Sequence, residues 1–337
     1  MSKSPRISIV VPTYNRRARL ERVLRGLDEQ SVSPDVFEVV VIDDGSTDDT
    51  QPWLEANRAR PYAVTVVTQQ NGGPSRARNR GVETARGELV LFIDDDVEPT
   101  PVLLAEHLKV HDAEPNVVVM GPLASLEHYA QPWVAWEQEK LEAQYAAMLR
   151  GDYAPTFRQF WTGNASVARE HVRAAGGFNT TYARAEDIEL GRRLAERGLG
   201  FRFNPAARGL HHAERSLESW VAMHRHYGKL EVEIFGGLGE DELVTTLAGN
   251  WSRIHSLTRL LVRHCVSHPR RAEAAGLALN RWLELSARAG VPLATSQVCG
   301  ALANLTYWAA SVEALGPARA ERVFSEGDRL RSHGAPH

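Results

Sequence analysis

The residues best suited to chemistry are carboxylates that follow an apolar run. Asp94, Asp95 and Asp96 come directly after the segment Leu89–Ile93. Adjacent carboxylates repel one another, so such a cluster is costly unless water or a cation neutralises it. Hard oxygen ligands of this kind suit Mg²⁺ or Mn²⁺ bridging to a diphosphate. The sequence therefore predicts a divalent-cation site here, with an exposed acidic turn as the alternative.

Two later clusters also carry side chains that could take part in catalysis or bind a metal ion. Glu186 and Asp187 stand at the predicted start of a helix, where acidic side chains can also simply complement the helix dipole. His211 and His212 are adjacent, and a neutral imidazole can complete a metal shell. Because neighbouring residues of a strand point to opposite faces, we expect at most one of the two histidines to be a ligand.

Polar residues also follow the first two apolar runs. Pro12, Thr13 and Tyr14 end the first run, and Asp44 ends the second. A carboxylate can accept hydrogen bonds from a base or a ribose, and the ring of Tyr14 can pack against a planar base. Turn formation is the alternative for Asp44. Arg78, after a glycine-bearing crossover, can meet a phosphate or lie on a solvated helix face.

The elements that must position these residues alternate along the chain. Short, continuously apolar, β-branched runs predict five buried strands, at residues 7–11, 37–42, 64–67, 89–93 and 117–120. The stripe of Leu20, Val23, Leu24 and Leu27 predicts a helix against them. This pattern favours an α/β fold with a mainly parallel sheet flanked by helices. Ligands bind beyond the carboxyl ends of such strands.

Beyond residue 235 strand signals vanish, and Ala/Leu/Arg-rich segments predict an appended C-terminal helical region over residues 236–337. Its apolar stripes would pack on the first domain, form a homodimer interface or narrow a cleft for a substrate. Cys265 and Cys299 lie far apart in this region. We interpret them as small core residues, because neither metal-site spacing nor a disulfide framework is present.

Composition excludes several classes of protein. The 337 residues are 43% hydrophobic, enough for the cores of roughly two domains. A net charge of -3 offers no global attraction for nucleic acid. No apolar run approaches the roughly eighteen residues that cross a bilayer. We therefore expect no membrane span, and a cytoplasmic protein because the N-terminus leads into a strand rather than a signal segment.

Taken in order, these motifs resemble glycosyltransferase family 2, the inverting enzymes with the GT-A nucleotide-diphospho-sugar transferase fold. The resemblance covers about residues 6–228. It rests on six segments in their family order, at residues 10–15, 41–48, 77–81, 94–96, 176–178 and 186–190.

The resemblance implies a GT-A Rossmann-like catalytic domain over residues 1–235, with a nucleotide-binding half at 1–125 and an acceptor-binding half at 126–235. By similarity, the nucleotide is held by Pro12, Thr13, Tyr14, Asp44, Arg78, Asp94 and Asp95. The metal, Mn²⁺ or Mg²⁺, is held by Asp96, Asp94 and His211. Asp187 is the catalytic base, and the acceptor site is shaped by Glu186, Trp161 and Asn164.

The function implied is metal-dependent, inverting sugar transfer from a UDP, dTDP or GDP type of donor. The acceptor hydroxyl would belong to a glycan, a lipid-linked sugar or a small molecule. Processive members carry Gln-x-x-Arg-Trp, whereas Arg281-Trp282 follows Ala278, so we expect a non-processive enzyme. Two alternatives stay open: a noncatalytic nucleotide-sugar-binding protein, or a nucleotidyltransferase. A dehydrogenase is excluded because residues 12–17 lack the glycine-rich fingerprint.

Overall fold

The computed structural model describes residues 4–182, 185–237, 239–266, 268–289 and 292–332. The chain forms two compact units, one of residues 1–128 and 138–213 and the other of residues 129–137 and 214–337. The boundary expected at residue 235 thus differs from the division near residue 213. The reason is that helix α8 (Leu217–Gly236) packs against helix α12 (Pro292–Leu315) and belongs to the helical unit.

The first unit is built on a seven-stranded sheet. In spatial order its strands are β3 (Ala63–Thr68), β2 (Phe37–Asp43), β1 (Ile7–Thr13), β4 (Leu89–Ile93), β8 (Asn164–Ala168), β6 (Val117–Met120) and β9 (Gly200–Phe203). A second sheet of three short strands consists of β5 (Val97–Pro99), β10 (Gly209–His211) and β7 (Leu123–Ala124).

The predicted mainly parallel sheet is confirmed, and all five predicted strands form within two residues of the expected bounds, but β3 lies at the sheet edge and is only partly buried. Strands β3, β2, β1 and β4 are parallel, and β6 is parallel to β9. Strand β8 runs antiparallel to both β4 and β6. The sequence did not predict β8, because its segment of small and polar residues has no apolar run.

Helices cover both faces of this sheet. Those of the first unit are α1 (Arg17–Asp28), α2 (Thr50–Ala56), α3 (Pro74–Thr84), α4 (Leu103–Ala113), α6 (Arg169–Ala174) and α7 (Glu186–Glu196), and α5 (Pro132–Arg150) enters it at residue 138. The predicted stripe of α1 is buried against the sheet. On the opposite face, Val82 of α3 and Leu190 and Leu194 of α7 pack on Val10 and Phe92.

The second unit is helical, as expected. Besides α8 and α12 it contains α9 (Glu240–Ser252), α10 (Ser256–Val266), α11 (Pro269–Ala289) and α13 (Pro317–Ser332). Trp251 and Trp308 are fully buried in it, and their rings contact Phe324. Cys265 and Cys299 are buried free thiols, which confirms their interpretation as core residues. Among the described residues, no helix combines the length and apolarity needed to cross a membrane.

Candidate active site

The three aspartates form a turn directly after strand β4. Because β1 and β4 are parallel neighbours, their carboxyl ends meet, and Thr13 Oγ1 donates to Asp95 Oδ2 over 2.8 Å. Arg16, just before helix α1, donates to Asp95 Oδ1 over 2.9 Å. Burial raises the pKa of Asp95 to about 6, and the nearby Asp96 charge acts in the same direction. The hydrogen bond from Thr13 thus orients the Asp95 carboxylate at the end of the neighbouring strand.

Arginines supply much of the neutralisation that three adjacent carboxylates need. Arg78 Nη2 donates to Asp94 Oδ1 over 2.6 Å, while its Nη1 reaches Glu186. The Asp96 Oδ2 atom lies 3.6 Å from Arg16 and 3.5 Å from Arg19. The acidic turn is thus a mixed-charge cluster, in which Arg78 is buried between two carboxylates.

Glu186 and Asp187 open helix α7. The preceding residue, Ala185, has a φ of +56°, a left-handed conformation that costs energy for a residue with a side chain. Asp187 Oδ1 accepts a hydrogen bond from the Ile188 N–H over 2.8 Å. Burial and the neighbouring Glu186 charge raise the pKa of Asp187. A carboxyl with a raised pKa is well matched to accepting a proton near neutral pH.

The two adjacent histidines have different partners, as strand alternation predicts. His211 Nε2 lies 4.0 Å from Asp96 Oδ1, whereas His212 Nε2 lies 2.7 Å from Glu98 Oε2. Strand β10 pairs with β5 immediately after the acidic turn, and the His212 N–H donates to the Asp96 carbonyl. This pairing is what brings His211 next to the aspartates.

Gln138 of helix α5 orients His211. Its amide nitrogen donates to the Leu123 carbonyl, so its Oε1 faces His211 Nδ1 at 3.0 Å and must accept. The Nδ1 atom of His211 therefore carries a proton, and in the neutral ring Nε2 would hold the lone pair that a metal ion requires.

The donor set of Asp96 and His211 fits a divalent cation, because it joins a hard carboxylate to an imidazole nitrogen. In the described part of the chain, no group of three or more acidic, histidine or cysteine side chains is arranged to hold a metal ion. Further ligands to such a cation would therefore come from a bound diphosphate or from water.

Asp44 lies at the carboxyl end of strand β2. Its carboxylate accepts hydrogen bonds from the N–H groups of Gly72 and Gly73 and from the Gln69 side chain, at 2.7–3.2 Å. Gly73 has a φ of +83°, a conformation that favours glycine. Asp44 thus holds the glycine-bearing segment against the sheet edge, and Tyr14 is exposed at the same edge.

The predicted acceptor residues differ in environment. Trp161 is half-buried, with its indole N–H bonded to the Gly121 carbonyl at 2.8 Å. Asn164 is fully buried, and its amide is occupied by His107 and by the carbonyls of Pro122 and Ala207. A side chain so enclosed has no access to an acceptor, so Asn164 is not carried into the acceptor site proposed below.

The structure adds residues that the sequence analysis did not single out. Arg16 and Arg19 contact the acidic turn, and a signal existed, since they directly follow the polar end of strand β1. Gln138 had no such signal, because it lies on a helix 73 residues before His211. Asn15 accepts from the N–H groups of Thr47 and Asp48 and so joins the ends of β1 and β2.

Comparison with known proteins places this geometry in context. The family profile described as "Glycosyl transferase family 2" matches residues 8–172. Validoxylamine A glucosyltransferase of Streptomyces hygroscopicus subsp. limoneus is 33% identical over 226 residues, covering 59% of this chain and 49% of that protein. The chain spans roughly half to three fifths of the length of such curated relatives.

Two solved structures share the fold. The mannosyltransferase PcManGT of Pyrobaculum calidifontis, in complex with GDP-Man and Mn²⁺, superposes with a TM-score of 0.59 at 22% identity, over 94% of this chain and 88% of its own. TarS 1-349 of S. aureus, in complex with UDP, gives 0.51 at 19% identity, over 87% and 89%. At these identities the likeness establishes the fold, which is of the expected GT-A type.

Proposed function

The chain belongs to glycosyl transferase family 2 through its N-terminal domain, and from that premise we propose that it transfers one sugar from a nucleotide-diphosphate donor to an acceptor hydroxyl, inverting the anomeric centre. The observation that carries the proposal is the meeting of three groups at one sheet edge: the polar residues that end β1 and β2, the acidic turn after β4, and the Glu186-Asp187 pair, which Arg78 joins to that turn. A noncatalytic nucleotide-sugar-binding protein is the alternative.

Asp187 is the proposed general base. As the acceptor oxygen forms its bond to the anomeric carbon, its proton passes to the Asp187 carboxylate. The bond from that carbon to the donor diphosphate breaks in the same step, and the electron pair leaves with the diphosphate. One displacement inverts the configuration, so an α-linked donor yields a β-linked product. The raised pKa of Asp187 supports this assignment.

Tyr14 and Asp44 are proposed to hold the nucleoside. Tyr14 presents an exposed ring that can cover a base, and the buried carboxylate of Asp44, oriented by Gly72 and Gly73, is the proposed acceptor for a base N–H or a ribose hydroxyl through its remaining lone pairs. Pro12 and Thr13 shape the same strand end. Among the solved relatives, one is described with UDP and another with GDP-Man, so both uridine and guanosine donors belong in the test.

Asp96 and His211 are proposed to hold a divalent cation, Mn²⁺ or Mg²⁺, whereas Asp94, the third ligand that the family resemblance implies, is paired with Arg78. When bound, such an ion would neutralise charge on the departing diphosphate. Asp94, paired with Arg78, faces Gly163, where an added Cβ would lie 3.2 Å from Asp94 Oδ2. The lack of a side chain at Gly163 lets the backbone approach this carboxylate and Leu123 closely.

The acceptor is proposed to lie beside Glu186 and Asp187, in the part of the first unit that follows residue 126. Glu186 is held by Arg78 over 2.7 Å and so has a defined position for shaping this site. Trp161 remains a candidate wall of the acceptor site, because its ring is partly exposed. The acceptor class stays open among glycans, lipid-linked sugars and small molecules.

The proposal is tested first by donor binding. Calorimetry with UDP, GDP, dTDP and their sugar conjugates, with and without Mn²⁺, should show metal-dependent binding of one nucleotide, and Asp96→Asn should abolish the metal dependence. Asp187→Asn should retain binding but lose transfer by about 10²–10⁴-fold. Glu196→Gln, at the exposed far end of the same helix, is the matched control.

The outcomes separate the hypotheses. Transfer at the normal rate by Asp187→Asn would remove this residue from the role of base. Donor binding without transfer or hydrolysis over a broad acceptor panel would favour the noncatalytic alternative. Release of pyrophosphate from a nucleoside triphosphate and a sugar phosphate would indicate a nucleotidyltransferase.

A further inference from the structure

Asp96, a proposed cation ligand, has different kinds of neighbour at its two carboxylate oxygens. Its Oδ1 atom lies 4.0 Å from Nε2 of His211, the second proposed ligand. Its Oδ2 atom lies 3.5 Å from Arg19 Nη1 and 3.6 Å from Arg16 Nη1. Two positively charged side chains and a divalent cation would therefore have to share one carboxylate.

Each aspartate of the acidic turn contacts an arginine, but the contacts differ in length. The carboxylates of Asp94 and Asp95 accept hydrogen bonds from their arginines over 2.6 and 2.9 Å. The contact between Arg19 and Asp96, at 3.5 Å, is longer than the roughly 2.7–3.2 Å of an ordinary N–H···O hydrogen bond. The Arg19 guanidinium is therefore the one that a competing cation can displace from its aspartate at the smallest cost.

Arg19 reaches the acidic turn from the first turn of helix α1. It follows Arg16 by three residues, a spacing that places both side chains on one side of the helix. Only 18% of the Arg19 side chain and 16% of the Asp96 side chain are exposed, so water and salt screen this pair less than a surface ion pair. A cation that takes Asp96 must therefore offset the loss of the pairing with Arg19.

The diphosphate of a donor would offer Arg19 a second anion. Phosphate oxygens suit the planar, permanently charged guanidinium, which can donate two parallel hydrogen bonds to them. The end of strand β1, proposed to hold the nucleotide, is hydrogen-bonded to the acidic turn through Thr13 and Asp95. A donor held at this strand end would bring its diphosphate to the acidic turn that Arg19 already contacts.

We propose that Arg19 exchanges one partner for another when the donor binds: it leaves Asp96 for the donor diphosphate, and Asp96 becomes available to the cation. The proposal rests on the proposed function, because the exchange needs a nucleotide-diphosphate donor. A cation that binds alone must displace Arg19, whereas a cation that binds with the donor finds Asp96 already released. Arg19 thus makes cation binding depend on donor binding, and by linkage the dependence is reciprocal.

The test measures Mn²⁺ binding by the full chain with and without a nucleotide. Electron paramagnetic resonance gives the concentration of free Mn²⁺, and the nucleotide is UDP or GDP, whichever the parent protein binds more tightly by calorimetry. In the parent protein, Mn²⁺ should bind at least about fivefold more tightly when the nucleotide is present. This measurement needs neither an acceptor nor sugar transfer.

Arg19→Gln removes the charge that competes for Asp96. Without nucleotide, this variant should bind Mn²⁺ about fivefold more tightly than the parent, whereas with nucleotide the Mn²⁺ affinity should change less than about twofold. Arg19→Lys keeps the charge and should stay closer to the parent in both conditions. Arg22→Gln removes an exposed charge from the same helix and is the matched control. A merely structural role of Arg19 would give weaker Mn²⁺ binding, never tighter.

Circular dichroism of each variant establishes that it is folded. If Arg19→Gln without nucleotide binds Mn²⁺ no more tightly than the parent, the exchange is overturned and the proposed sugar transfer stands. An equal gain in Mn²⁺ affinity with and without nucleotide would show that Arg19 only repels the cation, which also overturns the exchange. Failure of the parent to bind any nucleotide, with or without Mn²⁺, would overturn the inference and the proposed function together.

Discussion

Arg78 donates a hydrogen bond from Nη1 to Glu186 Oε1 over 2.7 Å and thereby ties helix α3 to the acidic start of helix α7. Its Nη2 donates to Asp94 over 2.6 Å, so one guanidinium joins the acidic turn to the Glu186-Asp187 pair. The surrounding carboxylates raise the pKa of Arg78, which keeps it charged. A nucleotide contact by Arg78, as the family resemblance implies, would thus be made by a side chain already committed to two carboxylates.

Replacement of Arg78 should destabilise the protein. In Arg78→Met two buried or half-buried carboxylates lose their shared partner, and we expect the free energy of unfolding to fall by about 3–5 kcal/mol. Urea denaturation followed by circular dichroism measures this. Arg80→Met, on the same helix with an exposed pairing to Glu83, should cost under about 1 kcal/mol. Equal denaturation midpoints for the two variants would show that the buried pairing contributes no net stability.

The pH profile of transfer should report the environment of Asp187. Its base form is the carboxylate, so kcat/KM should fall as pH is lowered through a pKa raised above the ordinary 3.8. Glu186→Gln removes the negative charge that contributes to the increase, so the acidic limb should move to lower pH. The pH at which kcat/KM falls, rather than its maximal value, is compared between Glu186→Gln and Glu196→Gln. An acidic limb that stays in place in Glu186→Gln would contradict this account.

Gln138 should affect metal binding without touching the metal. In Gln138→Ala the His211 ring loses the acceptor that fixes its tautomer, and we expect Mn²⁺ affinity, measured calorimetrically with nucleotide diphosphate present, to fall about 10–100-fold. Gln144→Ala on the same helix should leave the affinity unchanged. The prediction fails if both variants bind Mn²⁺ as the parent does.

A buried histidine pair should make the protein sensitive to acid. Burial lowers the pKa values of His107 and His111 to about 4 from 6.5. His107 bonds to Ser166 and Asn164, and His111 bonds to the same serine. Between pH 6.5 and about 4 the unfolded chain binds protons that the folded chain refuses. The free energy of unfolding should therefore fall as pH is lowered through this window.

Equilibrium urea unfolding at several pH values measures that slope. His107→Gln should reduce the slope, because one of the two proton sites is removed. It should also lower the free energy of unfolding at neutral pH. His128→Gln, at an exposed position, should leave the slope as it is. An unchanged slope in His107→Gln would assign the acid sensitivity to other groups.

Much of the fold follows from local patterns. The β-branched runs and the stripe of helix α1 were sufficient for the five main strands and the covering of the sheet, because a continuous apolar run marks a strand covered on both faces and a helical repeat marks one buried helix face. Strand β8 escaped prediction because Asn164 and Ser166 are polar and yet fully buried. Their burial is possible because partners distant in the sequence satisfy them: His107 and His111 bond to Ser166, and His107 and the carbonyls of Pro122 and Ala207 bond to Asn164.

The amino-acid sequence by itself determined which residues stand at strand ends and helix starts: Asp44, the acidic turn and the Glu186-Asp187 pair. That information is local, since each motif adjoins the element that presents it. Only the tertiary structure decided their partners, such as Arg78 with Glu186, 108 positions apart, or Gln138 with His211. Those contacts depend on how distant elements pack, and hydrogen-bond distance between two side chains leaves no periodic trace in the sequence.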